Sequence, residues 1–340
     1  MSVLVTGGAG YIGSHTCKAL HRAGFVPVTY DNLSTGHAYA VKWGPFVQGD
    51  IADKSKLRDV IHSFKPIAVI HFAADALVIE SMRNPAKYYR NNVAGTLSLL
   101  ETMREENISN LIFSSTCATY GEPQFIPLTE YHPQHPVNPY GRSKLMIEQI
   151  LSDFEVYGLK SIKLRYFNAA GADLNTEIGE NHTPETHIIP SIIQAAFGLK
   201  DEIAIYGTDF STRDGSAIRD YIHVHDLAEA HVLSLRYLLE TQKSDVFNLG
   251  TGTGTSVLEI IDAVQKLSST PLPVRLENRR PGEPGILTAD SAKAATVLHW
   301  TPTHSDLSTL IESAWKWHRL LLDNSAILRN TMQRLENAIK

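Results

Sequence analysis

Thr6-Gly7-Gly8-Ala9-Gly10-Tyr11-Ile12-Gly13 follows directly on the apolar run Val3-Leu4-Val5. The order reads as a short buried strand, a glycine turn and the start of a helix. Gly8, Gly10 and Gly13 satisfy G-x-G-x-x-G. In that spacing glycine permits the tight turn, lets the backbone approach a pyrophosphate and lets the helix pack close to the sheet. The unpaired N–H groups of the helix start then face the anion. A second β-rich run, Phe25 to Tyr30, ends at Asp31, about twenty residues beyond the motif. A carboxylate there accepts hydrogen bonds from an adenosine ribose and repels a 2′-phosphate, so NAD is expected rather than NADP.

Outward from this unit, strand-like and helix-like segments alternate. Strands are expected at 2–6, 26–30, 46–49, 67–72, 110–115 and 161–166, and helices at 12–23, 53–64, 86–106 and 139–157. Such alternation predicts an α/β protein with a Rossmann-type, doubly wound parallel sheet. Ligands of such sheets sit beyond the carboxyl ends of the strands. After about residue 166 the alternation weakens, and loops rich in Gly, Pro, Asn and Asp appear at 168–187, 206–217 and 277–288. We read residues 1–166, with about 225–249 returning to the sheet, as the NAD-binding domain. Residues 167–224 and 250–340 are read as a smaller mixed α/β substrate domain. Gly250-Thr251-Gly252-Thr253-Gly254 imitates a second nucleotide loop, but it precedes Ser256-Val257-Leu258-Glu259, a capping box that opens a helix.

Bulk composition narrows the function. A chain of 340 residues suits a large domain plus a smaller one, and 43% hydrophobic with 20% charged residues is ordinary for a globular enzyme. The net charge of −5 and the absence of a basic block argue against a nucleic-acid partner. No apolar run approaches the length of a membrane span, and no signal-peptide pattern opens the chain. Cys17 and Cys117 form no disulfide framework and suit a reducing, cytoplasmic setting. No metal ligand set is expected.

The candidate chemistry lies in two stretches. In Asn138-Pro139-Tyr140-Gly141-Arg142-Ser143-Lys144, Asn138 suits a helix cap and Pro139 its first turn. Tyr140 and Lys144 then share one helix face. A phenol is a poor base at neutral pH, and an ammonium one turn away favours its phenolate. Tyr plus Lys beside NAD is therefore a proton-transfer pair matched to hydride exchange. In Phe113-Ser114-Ser115-Thr116-Cys117-Ala118-Thr119-Tyr120-Gly121 a strand ends in a hydroxyl-rich turn. Thr116 is expected to meet a substrate hydroxyl, whereas Ser114 and Ser115 serve equally well to satisfy loop backbone.

The glycine turn, Ser-Ser-Thr and Tyr-x-x-x-Lys together resemble the extended short-chain dehydrogenase/reductase family. Finer stretches are similar to its UDP-glucose 4-epimerases (UDP-galactose 4-epimerases). They include His71-Phe72-Ala73, Tyr88-Tyr89-Arg90-Asn91-Asn92, Arg165-Tyr166-Phe167-Asn168, Arg219-Asp220-Tyr221-Ile222-His223-Val224 and Arg279-Arg280-Pro281-Gly282-Glu283. The resemblance runs from residue 1 to about residue 320. It implies cofactor contacts at Gly7, Gly10, Tyr11, Ile12, Gly13, Asp31, Asn32, Asp50, Ile51, Phe72, Ala73, Asn91, Tyr140, Lys144 and Phe167. It implies substrate contacts at Thr116, Asn168, His187, Ile188, Tyr206, Arg219, Tyr221, Arg280, Glu283 and Leu287. Residue chemistry agrees in part: Arg219 and Arg280 suit a diphosphate, and Tyr206 and Glu283 suit a base and its ribose. Ala76 stands where the family often has Lys, and Leu287 where it often has Tyr, Cys or Ser.

The implied activity is inversion of C4 of a UDP-hexose through a 4-keto sugar, with Tyr140, Lys144 and Thr116 as the catalytic group. UDP-N-acetylglucosamine and UDP-xylose/UDP-arabinose epimerisation remain alternatives. Dehydration is disfavoured because Cys117 and Ala118 stand where a dehydratase has its acid–base pair. A non-catalytic NAD sensor would not need Tyr140, Lys144 and Thr116 together. The resemblance also implies a homodimer through helices near 86–106 and 139–157.

Overall fold

Alternate residues of the first strand bury into opposite layers, and this sets the architecture. Val3 and Val5 enter one apolar layer, while Leu4 enters the other. A strand buried on both faces belongs inside a parallel sheet covered by helices on each side. The computed structural model describes residues 1–269, 271–280 and 283–339, with side chains through residue 325. Pro281 and Gly282 of the arginine-rich motif lie outside the described residues.

The strands are β1 (Ser2–Thr6), β2 (Val26–Asp31), β3 (Phe46–Gln48), β4 (Val69–His71), β5 (Asn110–Ser114), β6 (Lys160–Tyr166), β7 (Asn168–Ala170), β8 (Ile203–Tyr206), β9 (Ile218–Arg219), β10 (Tyr221–His223), β11 (Asp245–Leu249), β12 (Thr255–Ser256), β13 (Val274–Glu277) and β14 (Ile286–Leu287). The helices are α1 (Tyr11–Arg22), α2 (Lys54–Phe64), α3 (Val78–Arg83), α4 (Pro85–Tyr88), α5 (Thr96–Glu105), α6 (Pro139–Asp153), α7 (Ile188–Ala196), α8 (Val224–Thr241), α9 (Val257–Ser268), α10 (Ala292–Val297) and α11 (Leu307–Ile339).

Seven strands form the main sheet in the order β11-β6-β5-β4-β1-β2-β3, all neighbours parallel. β11 does return to this sheet, beside β6, as the sequence pattern of 225–249 suggests. The order reverses between β1 and β4, so a crevice opens beyond their carboxyl ends. One layer packs Cys17 and Leu20 of α1 with Leu227, Leu235 and Leu238 of α8. The other packs Leu57 and Ile61 of α2, Leu99 and Met103 of α5, and Ile147 and Leu151 of α6. A third apolar cluster joins Ile189, Ile192 and Ile193 of α7 to Ile260 and Val264 of α9 and Leu310 and Ala314 of α11. The remaining strands form three short sheets, β10-β7, β12-β9-β14 and β13-β8. Among the described residues no helix is long and apolar enough to cross a membrane.

Two sequence expectations need correction. The helix expected at 86–106 is α4, a wide π turn over Tyr89–Gly95, and then α5, with the unforeseen α3 before it. The reason is Asn92, whose side chain accepts from the Asp75 amide (2.8 Å) and donates to the Asp75 carbonyl (3.0 Å) and Ser143 Oγ (3.1 Å). Pulling that side chain inward opens the turn, as π bulges do near functional sites. The helix expected at 139–157 stops at Asp153 and tightens into a 3-10 turn over Phe154–Tyr157.

One buried ion pair ties α6 to the sheet. Arg165 on β6 grips Glu148 through Nε (3.0 Å) and Nη2 (2.6 Å), with both side chains under a tenth exposed. Removing one member strands the other in a dry site. Arg165→Leu should therefore cost about 3–5 kcal/mol in urea unfolding. Adding Glu148→Leu should recover part of that loss; a further loss would show that the pair is not what Arg165 contributes.

Candidate active site

The crevice floor is made by glycine at two forced positions. Gly7 has φ of +76°, and a Cβ there would lie 2.6 Å from the Ala73 amide nitrogen at the end of β4. A Cβ on Gly13 would lie 2.2 Å from the Gly7 carbonyl oxygen. The chain thus passes β4 at backbone contact, and only glycine allows it. α1 starts behind Gly10 without a side-chain cap. Its first-turn amides and its positive dipole end are therefore offered to the crevice. At the end of β2, Asp31 accepts from the Ala9 amide through Oδ2 (3.0 Å) and from the Leu33 amide through Oδ1 (2.8 Å). Burial raises its pKa, and those two amides oppose the rise. Each carboxylate oxygen keeps a second lone pair for a diol. Asn32 donates to Asp50 Oδ2 at 3.0 Å, which joins the ends of β2 and β3. Ile51 is buried in the apolar layer behind them. Phe72 and Ala73 both donate their amides to the Thr6 carbonyl. The Tyr11 hydroxyl donates to the Gly171 carbonyl (2.6 Å), while Ile12 supplies a further first-turn amide. The cradle fits a dinucleotide: space where side chains are forbidden, uncapped amides for a diphosphate, and an anchored carboxylate for a ribose. Ala76, at the departure from the family pattern, is exposed in the turn after β4.

Tyr140, Lys144 and Thr116 meet beside this cradle. Asn138 caps α6 by accepting from the Gly141 amide (2.8 Å), with Pro139 in the first turn, so Tyr140 is fixed one residue into the helix. Tyr140, Thr116 and Lys144 are 8%, 6% and 3% exposed, so the three side chains are shielded from bulk water. Lys144 Nζ donates to the Ser114 carbonyl at 2.8 Å. Burial lowers its pKa to about 7, and Glu148 opposes that fall. The phenol departs from the sequence expectation. Burial pushes Tyr140 well above its ordinary value, the Tyr166 hydroxyl adds to the rise, and the Thr116 side chain pulls the other way. Desolvation therefore dominates the phenol in this fold. Tyr88 packs edge-on against the Tyr140 ring at 6.5 Å, and Asn91 lies within the π turn that follows. His71 bridges Thr6 and Thr96 hydroxyls at 2.7 Å each, and burial lowers it to about 3, so its ring is neutral.

Arg219, Glu283, Leu287, Tyr221 and Asn168 come together, while Arg280 pairs with Tyr206 and His187 with Glu180. Arg219 donates through Nη2 to Glu283 Oε1 at 2.9 Å, and Glu283 Oε2 is buried without a hydrogen-bond partner. Arg280 lies over the Tyr206 ring at 3.7 Å. β14 pairs with β9 so that Leu287 stands opposite Arg219. Leu287 also packs on the cluster of Cys117, Tyr120, Leu128 and Phe167, which brings it to the hydroxyl turn. Asn168 stands opposite Tyr221 in the β7–β10 pair, and its side chain donates to the Asp220 carbonyl at 3.1 Å. Burial raises the Tyr221 phenol. His187 and Ile188 open α7, with His187 Nδ1 in contact with Glu180, whose charge raises His187 to about 9.

Three supports were not singled out in the sequence. Asp220 accepts from the amides of Thr251 (2.7 Å), Gly252 (2.9 Å) and Ala289 (3.0 Å). A protein carboxylate thus occupies the loop that imitates a nucleotide turn. The capping box of Ser256 and Glu259 is formed, as expected. Glu148 accepts from Ser115 Oγ (2.5 Å), and Asn92 anchors the π turn. Glu148 carried a spacing signal, four residues from Lys144, whereas Asn92 and Asp220 were visible only as members of longer motifs.

The sequence pattern of the NAD dependent epimerase/dehydratase family matches residues 3–250. A UDP-glucose 4-epimerase of Rhizobium leguminosarum bv. trifolii is 52% identical over 318 residues, covering 93% of this chain and 97% of that one. The crystal structure of UDP-glucose 4-epimerase from Brucella ovis in complex with NAD superposes with a TM-score of 0.91 at 53% identity, covering 93% and 97% of the two chains. That of UDP-glucose-4-epimerase from Stenotrophomonas maltophila, with bound NAD and formylated UDP-arabinopyranose, gives a TM-score of 0.92 at 39% identity, covering 95% and 99%. Likeness of this extent, over a glycine cradle and a buried Tyr–Lys–Thr group, means that the chain belongs to the NAD dependent epimerase/dehydratase family, among its UDP-glucose 4-epimerases.

Proposed function

We propose that this isomerase interconverts UDP-glucose and UDP-galactose, with Tyr140 as the group that takes the sugar 4-OH proton and returns it. The observation that carries the assignment is the burial of Tyr140, Thr116 and Lys144 together at the mouth of the glycine cradle. NAD, held by Gly7, Gly10, Gly13, Asp31 and their neighbours, supplies a two-electron acceptor and donor, so the cycle has no net redox change. Thr116 orients the 4-OH towards the phenol. Lys144, fixed on the Ser114 carbonyl, contributes positive charge that favours the phenolate. Arg219 and Arg280 hold the UDP diphosphate, with Tyr206 and Glu283 at its base and ribose. Binding energy placed on the nucleotide leaves the hexose free to turn its other face. We assign residues 1–166 and about 225–249 to the cofactor domain and the remainder to the substrate domain. Two buried free thiols, Cys17 and Cys117, suit a cytoplasmic setting.

Purified protein given UDP-galactose should form UDP-glucose without added NAD, as read by chromatography of the products. Tyr140→Phe should lower turnover at least ~10²-fold, the usual scale of general acid–base catalysis, while NAD stays bound. Near-normal turnover would remove Tyr140 as the proton carrier. Leu287 is of middling size in the sugar wall, which favours some tolerance of an N-acetyl group. Leu287→Tyr should lower the ratio of UDP-N-acetylglucosamine to UDP-glucose activity, and an unchanged ratio would take Leu287 out of the pocket. We also assign a homodimer through the 85–105 and 139–153 helices. Sedimentation should give twice the chain mass, and Met146→Lys, on the exposed face of α6, should shift it towards the monomer.

A further inference from the structure

The loop that enters α7 carries Glu180, His182, Glu185 and His187 within eight residues. One ligand atom from each lies within 4.8 Å of all the others. Both carboxylates are buried, with side chains 3% and 2% exposed. Glu180 Oε1 touches His187 Nδ1 and lies 3.0 Å from His182 Nδ1, but the latter contact lacks hydrogen-bond geometry. Glu185 Oε1 accepts from the amides of Thr186 (2.8 Å) and His187 (2.9 Å). Its Oε2 is buried and has no hydrogen-bond partner. The His187–Glu180 ion pair therefore accounts for half of the cluster. It leaves Glu185 Oε2 and His182 Nδ1 buried 3.9 Å apart, each without a hydrogen-bond partner, an arrangement that costs free energy and that a cation shared between them would relieve.

The backbone around the cluster is built to hold its shape. Trp317 Nε1 donates to the Glu180 carbonyl at 2.8 Å, and His37 Nε2 bonds the Asn181 carbonyl at 2.7 Å. A Cβ on Gly179 would lie 2.5 Å from the Trp317 ring, so the loop is pressed flat against it.

We propose that Glu180, His182, Glu185 and His187 form a site for one divalent cation of the zinc class, which pins the loop leading into α7. Two imidazoles and two carboxylates at this separation suit a tetrahedral borderline metal better than Mg2+, which prefers an octahedral oxygen shell. All four positions are protein ligands, so the role is structural and separate from the proton transfer at Tyr140.

The test uses the full-length protein with its bound NAD, stripped with EDTA, dialysed and titrated with ZnCl2 by calorimetry. One Zn2+ per chain should bind and raise the Tm, and EDTA should reverse the rise. Glu185→Gln and His182→Ala should each weaken binding at least ~10-fold, a loss of the size seen when the support of a metal site is removed. Retained NAD absorbance shows that each variant is folded. Absence of saturable Zn2+ binding in the wild-type protein would overturn the proposal. So would variants that bind like the wild type, or Mg2+ binding as tightly as Zn2+.

Discussion

The hydrogen bond from Lys144 Nζ to the Ser114 carbonyl is the join on which the candidate active site depends. It fastens the first turns of α6 to the end of β5. The phenol on one element is thereby set against the hydroxyl turn on the other. Tyr140, Lys144 and Glu148 follow one another at intervals of four, so they form a single stripe on α6. Each reaches a different part of the same strand end: Tyr140 lies by Thr116, Lys144 bonds Ser114, and Glu148 accepts from Ser115. The site is held by geometry that neither element has alone.

The same stripe explains what could be read in advance. Tyr140 and Lys144 were legible because their spacing is local and their helix is announced by Asn138 and Pro139. The glycine cradle and Asp31 were legible for the same reason, since β1, turn, α1 and β2 follow in sequence. Glu148 continued the spacing, but its meaning needed Arg165, which comes from β6 and is paired only by tertiary packing. The wide turn at Tyr89–Gly95 was hidden for a related reason. Its periodicity is helical, and what opens it is Asp75, seventeen residues earlier, bonded to Asn92. Asp220 reads as one acid in a motif. Its three amide partners at Thr251, Gly252 and Ala289 are supplied by two distant loops.

The residues proposed for the substrate wall could be listed from composition, but their arrangement could not be read. Arginines, an aromatic and an acid for a nucleotide diphosphate could be listed, but their pairing could not. Arg219 stands beside Glu283, and Arg280 stacks on Tyr206, because β9 and β14 pair in one register and β8 with β13 in another. Strands of two to four residues leave no periodicity to read. The Glu180–His187 loop is the extreme case. Its four polar side chains look like an ordinary polar connection until Trp317 and His37 are seen to clamp its backbone.

Charge accounting around α6 shows why the buried network has its present membership. Lys144, Glu148 and Arg165 together carry one net positive charge. If Glu148 were free, it would be the natural partner for Lys144 one turn away, and the ammonium would be neutralised. Arg165 instead takes both carboxylate oxygens, at 3.0 and 2.6 Å, and Lys144 is left with a neutral carbonyl. The Lys144 ammonium is then left without a carboxylate partner. Burial alone drives Tyr140 towards the neutral form and Lys144 down to about 7. A phenolate and an ammonium in one dry site favour each other, so each corrects the penalty that burial places on its partner.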